Sequence, residues 1–232
     1  MNWLKKALGS SIGRKSLMAV TGLLLCGFLA VHLAGNLLLY KSPESYNEYA
    51  HALHKQETLL AIAEIGLLAL FVGHIGLALL TQRDNQAARP HDYAMKQSKI
   101  GQPTLAQPAS AVMYVTGIVV LGFILLHLID FRFELRNRRE LTINPASVAA
   151  MHMAEQPFDK ARRLLADPLT CAVYLLGSVV LGYHLLHGFQ SAFQSLGWNH
   201  PKYTPLIKNL GAAFAVIVAL GFASFPIWAV IF

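Results

Sequence analysis

Charged residues are scarce in this chain: they make up 13% of its 232 residues, whereas hydrophobic residues make up 55%. About a quarter of a soluble domain is charged, so the composition excludes an ordinary soluble fold. Apolar stretches of roughly the 20 residues that a helix needs to cross a bilayer lie at about 17–40, 59–80, 111–130, 169–190 and 210–232. Because hydrocarbon offers no partner for open backbone groups, we predict an all-α integral membrane bundle of five transmembrane helices, forming a single domain over residues 1–232.

Cysteine is rare as well. Cys26 and Cys171 are the only two, each lies within an apolar stretch, and neither belongs to a Cys-x-x-Cys-His arrangement. These facts exclude covalent attachment of a c-type haem and argue against a thiolate-bound iron–sulfur cluster in this chain. A glycine-rich dinucleotide motif is also absent from the sequence, which therefore offers no flavin site of that kind.

Net charge is +7, but no soluble domain remains to bind nucleic acid once five spans are removed. The basic residues lie in connections and at the ends of spans, where they meet membrane lipid and partner subunits. Four of them precede the first stretch, namely Lys5, Lys6, Arg14 and Lys15. That stretch is longer than the roughly 7–15 apolar residues of a signal peptide, so we interpret it as a permanent span.

The distribution of Lys and Arg leaves the orientation nearly balanced. A cytoplasmic N-terminus puts ten of them inside and nine outside, and seven of those nine lie in the longest connection, residues 131–168. Basic residues before the first span usually dominate. We therefore predict a multi-pass protein of the cytoplasmic membrane with its N-terminus inside and its C-terminus outside.

An internal repeat links the first and third stretches. Residues 21–33 (TGLLLCGFLAVHL) and 116–128 (TGIVVLGFILLHL) share six identities at the same offsets, which gives the pattern Thr-Gly-x4-Gly-Phe-x3-His-Leu. Its glycines, ten and five residues before the histidines His32 and His127, are Gly22, Gly27, Gly117 and Gly122. Because glycine leaves the helix surface bare, these positions permit the close approach of a neighbouring helix or of a flat ring.

Four histidines lie at equal depth along four spans. His32, His74, His127 and His184 each lie about fifteen residues into a stretch, roughly 22 Å from its entry face at 1.5 Å per residue. Since alternate spans run in opposite directions, His32 pairs in level with His127, and His74 with His184. The two levels should be roughly 15 Å apart along the membrane normal.

Two imidazoles at one level suit a haem iron, which has two axial positions left after the porphyrin takes four. Filling both leaves no site for oxygen and makes the iron an electron carrier. We therefore predict two b-type haems. The same histidines are also compatible with simple hydrogen bonds between helices, or with a proton relay in a haem-free transporter.

Other polar residues are weaker candidates. His187 follows His184 by three residues and is an alternative ligand, and Glu64 lies ten residues before His74, near the level of His32 and His127. A carboxylate at that depth is costly, so we expect it to be protonated, paired with an arginine of a connection, or close to a quinone. Asp130 is interpreted as the end of its helix. The remaining histidines fall in the predicted connections: His51, His54, His91, His152 and His200.

These motifs resemble a known family, the dihaem cytochrome b subunit of succinate dehydrogenases and quinol:fumarate reductases with one large five-helix anchor. The resemblance covers nearly the whole chain. It depends on the two Thr-Gly pairs, on Phe71-x-x-His74, and on the spacing His184-x3-Gly188-x8-Gly197-Trp198. That spacing favours His184 over His187 as the ligand.

The resemblance implies that His74 and His184 hold a proximal haem near cytoplasmic flavoprotein and iron–sulfur subunits, and that His32 and His127 hold a distal haem. It also implies a quinone, menaquinone in most such chains, close to the distal haem. The candidate residues there are Glu48, His51, His54 and Glu64. Some members of the family have a proton-conducting glutamate two residues before the fourth-span ligand, where this chain has Gly182.

The sequence therefore predicts a respiratory electron-transfer subunit that links succinate and fumarate interconversion to membrane quinone, while the dicarboxylate chemistry belongs to other chains. Two alternatives remain open. The chain is also compatible with the cytochrome b subunit of a hydrogenase or formate dehydrogenase, and with a haem-free, proton-coupled transporter.

Overall fold

The computed structural model describes residues 2–88, 110–136 and 155–232, which are almost entirely helical and contain no strand. The helices of these ranges are α1 (Asn2–Gly9), α2 (Ser11–Asn36), α3 (Pro43–His54), α4 (Glu57–Ala87), α5 (Ser110–Phe131), α6 (Pro157–Ala166), α7 (Pro168–Ser195) and α8 (Thr204–Ile231). A 3₁₀ turn over Leu37–Tyr40 continues α2.

The predicted membrane bundle is confirmed. Five of these helices, α2, α4, α5, α7 and α8, are long and apolar enough to cross a bilayer, with mean hydropathy between 1.8 and 2.5 over their most apolar windows. Several extend beyond the predicted ends. The largest extension is in α4, which continues to Ala87 because polar residues outside the hydrocarbon still form good helix.

Two predicted connections contain helices. Residues 43–54, expected to be a loop, form α3. The helix begins at Pro43, and the side chain of the preceding Ser42 caps it by accepting a hydrogen bond from the Ser45 amide. His51 and His54 therefore lie on a helix and not in a loop. The connection 131–168 likewise contains α6. His91 and His152 fall outside the described residues, and His200 lies in the short turn before α8.

Helix packing reproduces the internal repeat. In the described residues α4 packs along α2, α5 packs along α7, and α7 joins the two pairs by packing against α2. The most extensive contact, between α7 and α8, depends on Gly182: a Cβ there would lie 2.5 Å from the Ala219 Cβ. The helices are therefore too close for a glutamate at this position, which gives a steric reason for the glycine.

The helices α3 and α6 together cover one end of the bundle. In α6 four residues are buried against the spans, namely Phe158, Ala161, Leu164 and Leu165. The Phe158 amide donates a hydrogen bond of 2.9 Å to Asn47 Oδ1 on α3, and Phe158 belongs to the same apolar cluster as Leu33 of α2 and Tyr174 of α7. This is the end of the bundle at which His32 lies.

The two ends of α7 have clear local causes. Asp167 caps the first turn by accepting a hydrogen bond of 2.9 Å from the Thr170 amide, and hydrogen bonds from Thr170 hold the pKa of this carboxyl below its usual value. At the other end Gly197 adopts a φ of +83°, and the Trp198 amide bonds to the Phe193 carbonyl at 2.9 Å. The Gly-Trp pair noted in the sequence is thus a helix stop.

Candidate functional site

His32 of α2 and His127 of α5 meet within the bundle as predicted from their depth. Their ring centroids are 5.8 Å apart and their planes are nearly perpendicular, at 81°. Two imidazoles whose nitrogens lie about 2 Å from one shared metal ion have centroids roughly 6 Å apart. The spacing therefore fits an ion held between the two rings.

Aromatic side chains enclose this pair. Phe28 stacks on His32 at 5.2 Å, Phe131 lies 5.3 Å from His127, and Phe222 of α8 lies 5.6 Å from His32. Phe28 is the phenylalanine of the repeat, four residues before its histidine and hence on the same helix face. These rings keep water away from the two imidazoles.

The other two histidines are each held by a threonine of the repeat. Thr21 Oγ1 lies 3.1 Å from His74 Nδ1, and Thr116 Oγ1 lies 3.1 Å from His184 Nδ1. The same contact thus occurs in both halves of the repeat, between its first residue and the histidine of the partner span.

These hydroxyls determine which imidazole nitrogen is free. Thr21 Oγ1 is 3.0 Å from the carbonyl oxygens of Leu17 and Met18, and Thr116 Oγ1 is 3.1 Å from that of Met113. A carbonyl only accepts, so the single hydroxyl proton is donated to it and the threonine oxygen accepts from the imidazole Nδ1–H. Nε2 then keeps its lone pair, which is the form a metal ligand requires.

The two histidine levels can be located along the helices. Thr21 marks the level of His74 on α2 and lies eleven residues before His32, while Thr116 marks the level of His184 on α5 and lies eleven residues before His127. Eleven residues span about 16 Å of helix. This agrees with the separation of roughly 15 Å predicted from depth alone.

The first glycine of each repeat lies against the histidine that the threonine of the same repeat contacts. A Cβ on Gly22 would be 3.2 Å from His74 Cε1, and one on Gly117 would be 3.6 Å from His184 Cε1. The bare backbone lets each imidazole lie against the neighbouring helix. This half of the glycine pattern therefore belongs to the site.

The second glycine of each repeat does not lie on this face. Gly27 lies five residues before His32, about 140° around the helix, and shares the exposed face of Leu24 and Val31, which are 53% and 68% exposed. Gly122 is likewise exposed, and no atom of the described residues lies within 4 Å of a Cβ built on Gly27 or Gly122. Of the four glycines, Gly22 and Gly117 are the two that lie against a histidine.

The geometry distinguishes between the two candidate ligands on α7. Thr116 contacts His184 and not His187, and His184 is the one whose Nδ1 has a defined partner. His187 is half-buried and farther along the helix. The contact therefore favours His184, the residue chosen from the sequence.

No family model, curated protein or solved structure matches this chain. Its likeness to the dihaem family thus remains a resemblance of motifs. Within the described ranges no group of three or more His, Cys, Asp or Glu side chains is arranged to hold a bare metal ion. The histidine pairs supply two ligands each, which suits an ion that brings four ligands of its own, as a haem iron does.

The candidate quinone residues lie on two helices, Glu48, His51 and His54 on α3 and Glu64 on α4. Glu48, His51 and His54 are exposed on α3, where His51 Nε2 lies 3.2 Å from Gln156 Oε1 and His54 Nδ1 lies 2.7 Å from the Ala50 carbonyl. A shallow surface depression near by is lined by residues of the α3–α4 junction: Lys55, Gln56, Glu57, Thr58, Leu59 and Ile62. The quinone position therefore stays a prediction.

Glu64 is paired with an arginine, which was one of the three alternatives predicted for it. Both carboxylate oxygens face Arg132, just beyond the end of α5, at 2.9 Å each. This two-pronged pair links α4 to α5 and neutralises a carboxylate at membrane depth.

Sequence reasoning missed three residues behind His127. Asp130, interpreted as a helix end, is only 8% exposed, accepts a hydrogen bond from the Tyr174 hydroxyl at 3.1 Å and pairs with Arg136 at 3.0 Å. The signal available was a carboxylate three residues after a ligand, one turn along the same helix face. Tyr174, on another helix, had no such signal.

Removing either threonine hydroxyl should weaken the site it supports. In Thr21→Val or Thr116→Val the side chain keeps its size but the imidazole Nδ1–H loses its acceptor, and loss of such a contact typically costs about 10- to 100-fold in metal affinity. Titration of haem into the detergent-purified chain should show that loss at one of two sites. Thr21→Ser should restore binding, and Thr81→Val should leave it unchanged, since the Thr81 hydroxyl has no partner in the described residues.

Proposed function

We propose that this chain is the membrane-anchor cytochrome b subunit of a succinate dehydrogenase or quinol:fumarate reductase, carrying electrons between an iron–sulfur subunit and membrane quinone. The proposal depends chiefly on one observation. Both halves of the repeat make the same threonine–histidine contact, at 3.1 Å, and each has a second histidine eleven residues away that pairs across the bundle. Two stacked sites with two imidazoles each follow from this arrangement.

The residues of the chain hold, orient and shield the two sites. Haem supplies reversible one-electron uptake at its iron when bound. His32 and His127 would hold one haem, and His74 and His184 would hold the other. The threonines fix the ring tautomer of the second pair, and phenylalanines exclude water from the first pair. With two imidazoles at each site, the bound iron would transfer electrons and would not bind oxygen.

The charge pattern supports a cytoplasmic N-terminus, with Lys5, Lys6, Arg14 and Lys15 on the inner side. His74 lies level with Thr21, which is closer to the N-terminal end of α2 than His32 is, so we place this pair proximal to flavoprotein and iron–sulfur partners on that side. The pair of His32 and His127 is then distal, next to the cap of α3 and α6. Menaquinone reacts at that end, and the dicarboxylate chemistry takes place in the partner subunits.

The test is purification of the chain with its partners from native membranes. The expected complex contains a flavoprotein, an iron–sulfur protein and two b-type haems per copy of this chain, and it couples succinate oxidation or fumarate reduction to a menaquinone analogue. A complex with a nickel or molybdenum subunit would assign the chain to another dehydrogenase. A preparation without the absorption band of reduced b haem would instead favour a transporter and refute the proposal.

A further inference from the structure

The four proposed ligands differ in what lies behind them. His74 and His184 donate to neutral threonine hydroxyls, and Asn36 lies 3.5 Å from His32 Nδ1. Behind His127 is the Tyr174 hydroxyl, 3.5 Å from Nδ1, at the outer limit of a hydrogen bond. Within the described residues, His127 is the one of these four with a phenol hydroxyl within hydrogen-bond distance.

A carboxylate lies behind that phenol. The Tyr174 hydroxyl donates its proton to Asp130 Oδ2 at 3.1 Å, so its oxygen is free to accept from His127. Asp130 is 8% exposed, and its other oxygen pairs with Arg136 Nη2 at 3.0 Å. Arg136 in turn donates to Thr170 Oγ1 at 2.6 Å.

We propose that Tyr174 and Asp130 form a relay that polarises His127 and lowers the redox potential of the haem that His32 and His127 hold, an inference that rests on the proposed function. Asp130 draws the phenol proton toward itself, which makes the phenol oxygen a stronger acceptor for the imidazole Nδ1–H. The imidazole then donates more charge through Nε2 and favours ferric over ferrous iron. Tyr174 and Asp130 are positioning residues, because neither touches the iron.

The same residues also tie helix ends together. Arg136 lies 3.6 Å from Asp167, the cap of α7, so the cluster joins the end of α5 to the start of α7. A purely structural role would affect stability or haem content when the cluster is altered. It would not change the potential of one haem while sparing the other, and this difference defines the experiment.

The experiment is a spectroelectrochemical titration of the purified complex carrying Tyr174→Phe, Asp130→Asn or both. Each single variant should raise the potential of one and the same haem, the one lost in His127→Ala, and leave the other unchanged. The redox potential of that haem should rise no further in the double variant than in Tyr174→Phe alone, because Asp130 acts through the phenol. Tyr183→Phe, which removes a phenol from the same helix away from His127, is the matched control and should shift neither potential.

Several outcomes would overturn the relay. Additive shifts would mean that Asp130 acts through space, and unchanged or equally shifted potentials would mean that the cluster is structural. If Asp130→Asn fails to assemble, Tyr174→Phe alone decides, since a phenylalanine keeps the ring packing on Phe123 and Phe131. A wild-type complex without haem would refute the proposed function as well, whereas two titrating haems with unmoved potentials refute only the relay.

Discussion

Replacing His127 with alanine is expected to remove one of the two proposed haems and leave the other in place. The paired His32 ring, 5.8 Å away, would then be the one proposed ligand left at that level, and losing one of two iron–imidazole bonds should weaken binding enough for purification to remove that haem. The second pair lies about 16 Å away along the helices and keeps both its imidazoles. The ratio of extracted haem to polypeptide should fall from two to one.

The other histidines provide the controls for this result. His32→Ala should remove the same haem, and His32→Ala combined with His127→Ala should remove no more than either alone. His187→Ala should retain both haems, because Thr116 contacts His184. Equal loss of both haems in His127→Ala would indicate general misfolding, whereas loss of different haems in His127→Ala and His32→Ala would contradict the pairing.

The fold was predictable because a bilayer leaves few choices. Five apolar stretches of sufficient length had to be helices, and the structure has all five. The helices α3 and α6 were not predicted, since each is short and the search for spans passes over amphipathic segments. In α6 the buried Phe158, Ala161, Leu164 and Leu165 follow helical spacing, so a shorter window would have found it.

The sequence predicted the depth of each histidine along its helix but not the direction in which its side chain points. Counting residues gives depth along a helix, which was enough to pair His32 with His127. It does not say which way a side chain points once neighbouring helices are unknown. The sequence therefore gave no reason to connect Thr21 with His74, and it treated Gly22 and Gly27 alike although they face different surroundings.

Charged residues within the spans illustrate the same limit. A carboxylate at membrane depth requires a partner or a proton, and Glu64 has Arg132 while Asp130 has Arg136. Both arginines lie just beyond α5, at a distance along the chain that no periodicity connects to the carboxylates. The cost of a buried charge predicted a partner for Glu64 as one of three alternatives and none for Asp130; the packing of α4, α5 and α7 identifies both partners.

Gly22→Leu is expected to abolish haem binding at the proximal pair, because the new side chain occupies the space of the His74 ring. A Cβ alone would lie 3.2 Å from His74 Cε1, so Gly22→Ala already requires a small shift and should weaken binding slightly. Gly117→Ala, at 3.6 Å from His184 Cε1, is ordinary van der Waals contact and should be tolerated. Haem stoichiometry should therefore fall from two to one in Gly22→Leu and stay at two in Gly117→Ala.

Gly27→Leu is the matched control, five residues farther along the same helix and in the same motif. No atom of the described ranges lies within 4 Å of a Cβ at Gly27, whose neighbours Leu24 and Val31 are exposed on the outer surface of the bundle. An added leucine there meets lipid and should leave both haems in place. If Gly27→Leu removed a haem while Gly22→Leu did not, the imidazole of His74 would lie on another face of α2, and the threonine–histidine contact on which the two-site arrangement depends would not exist.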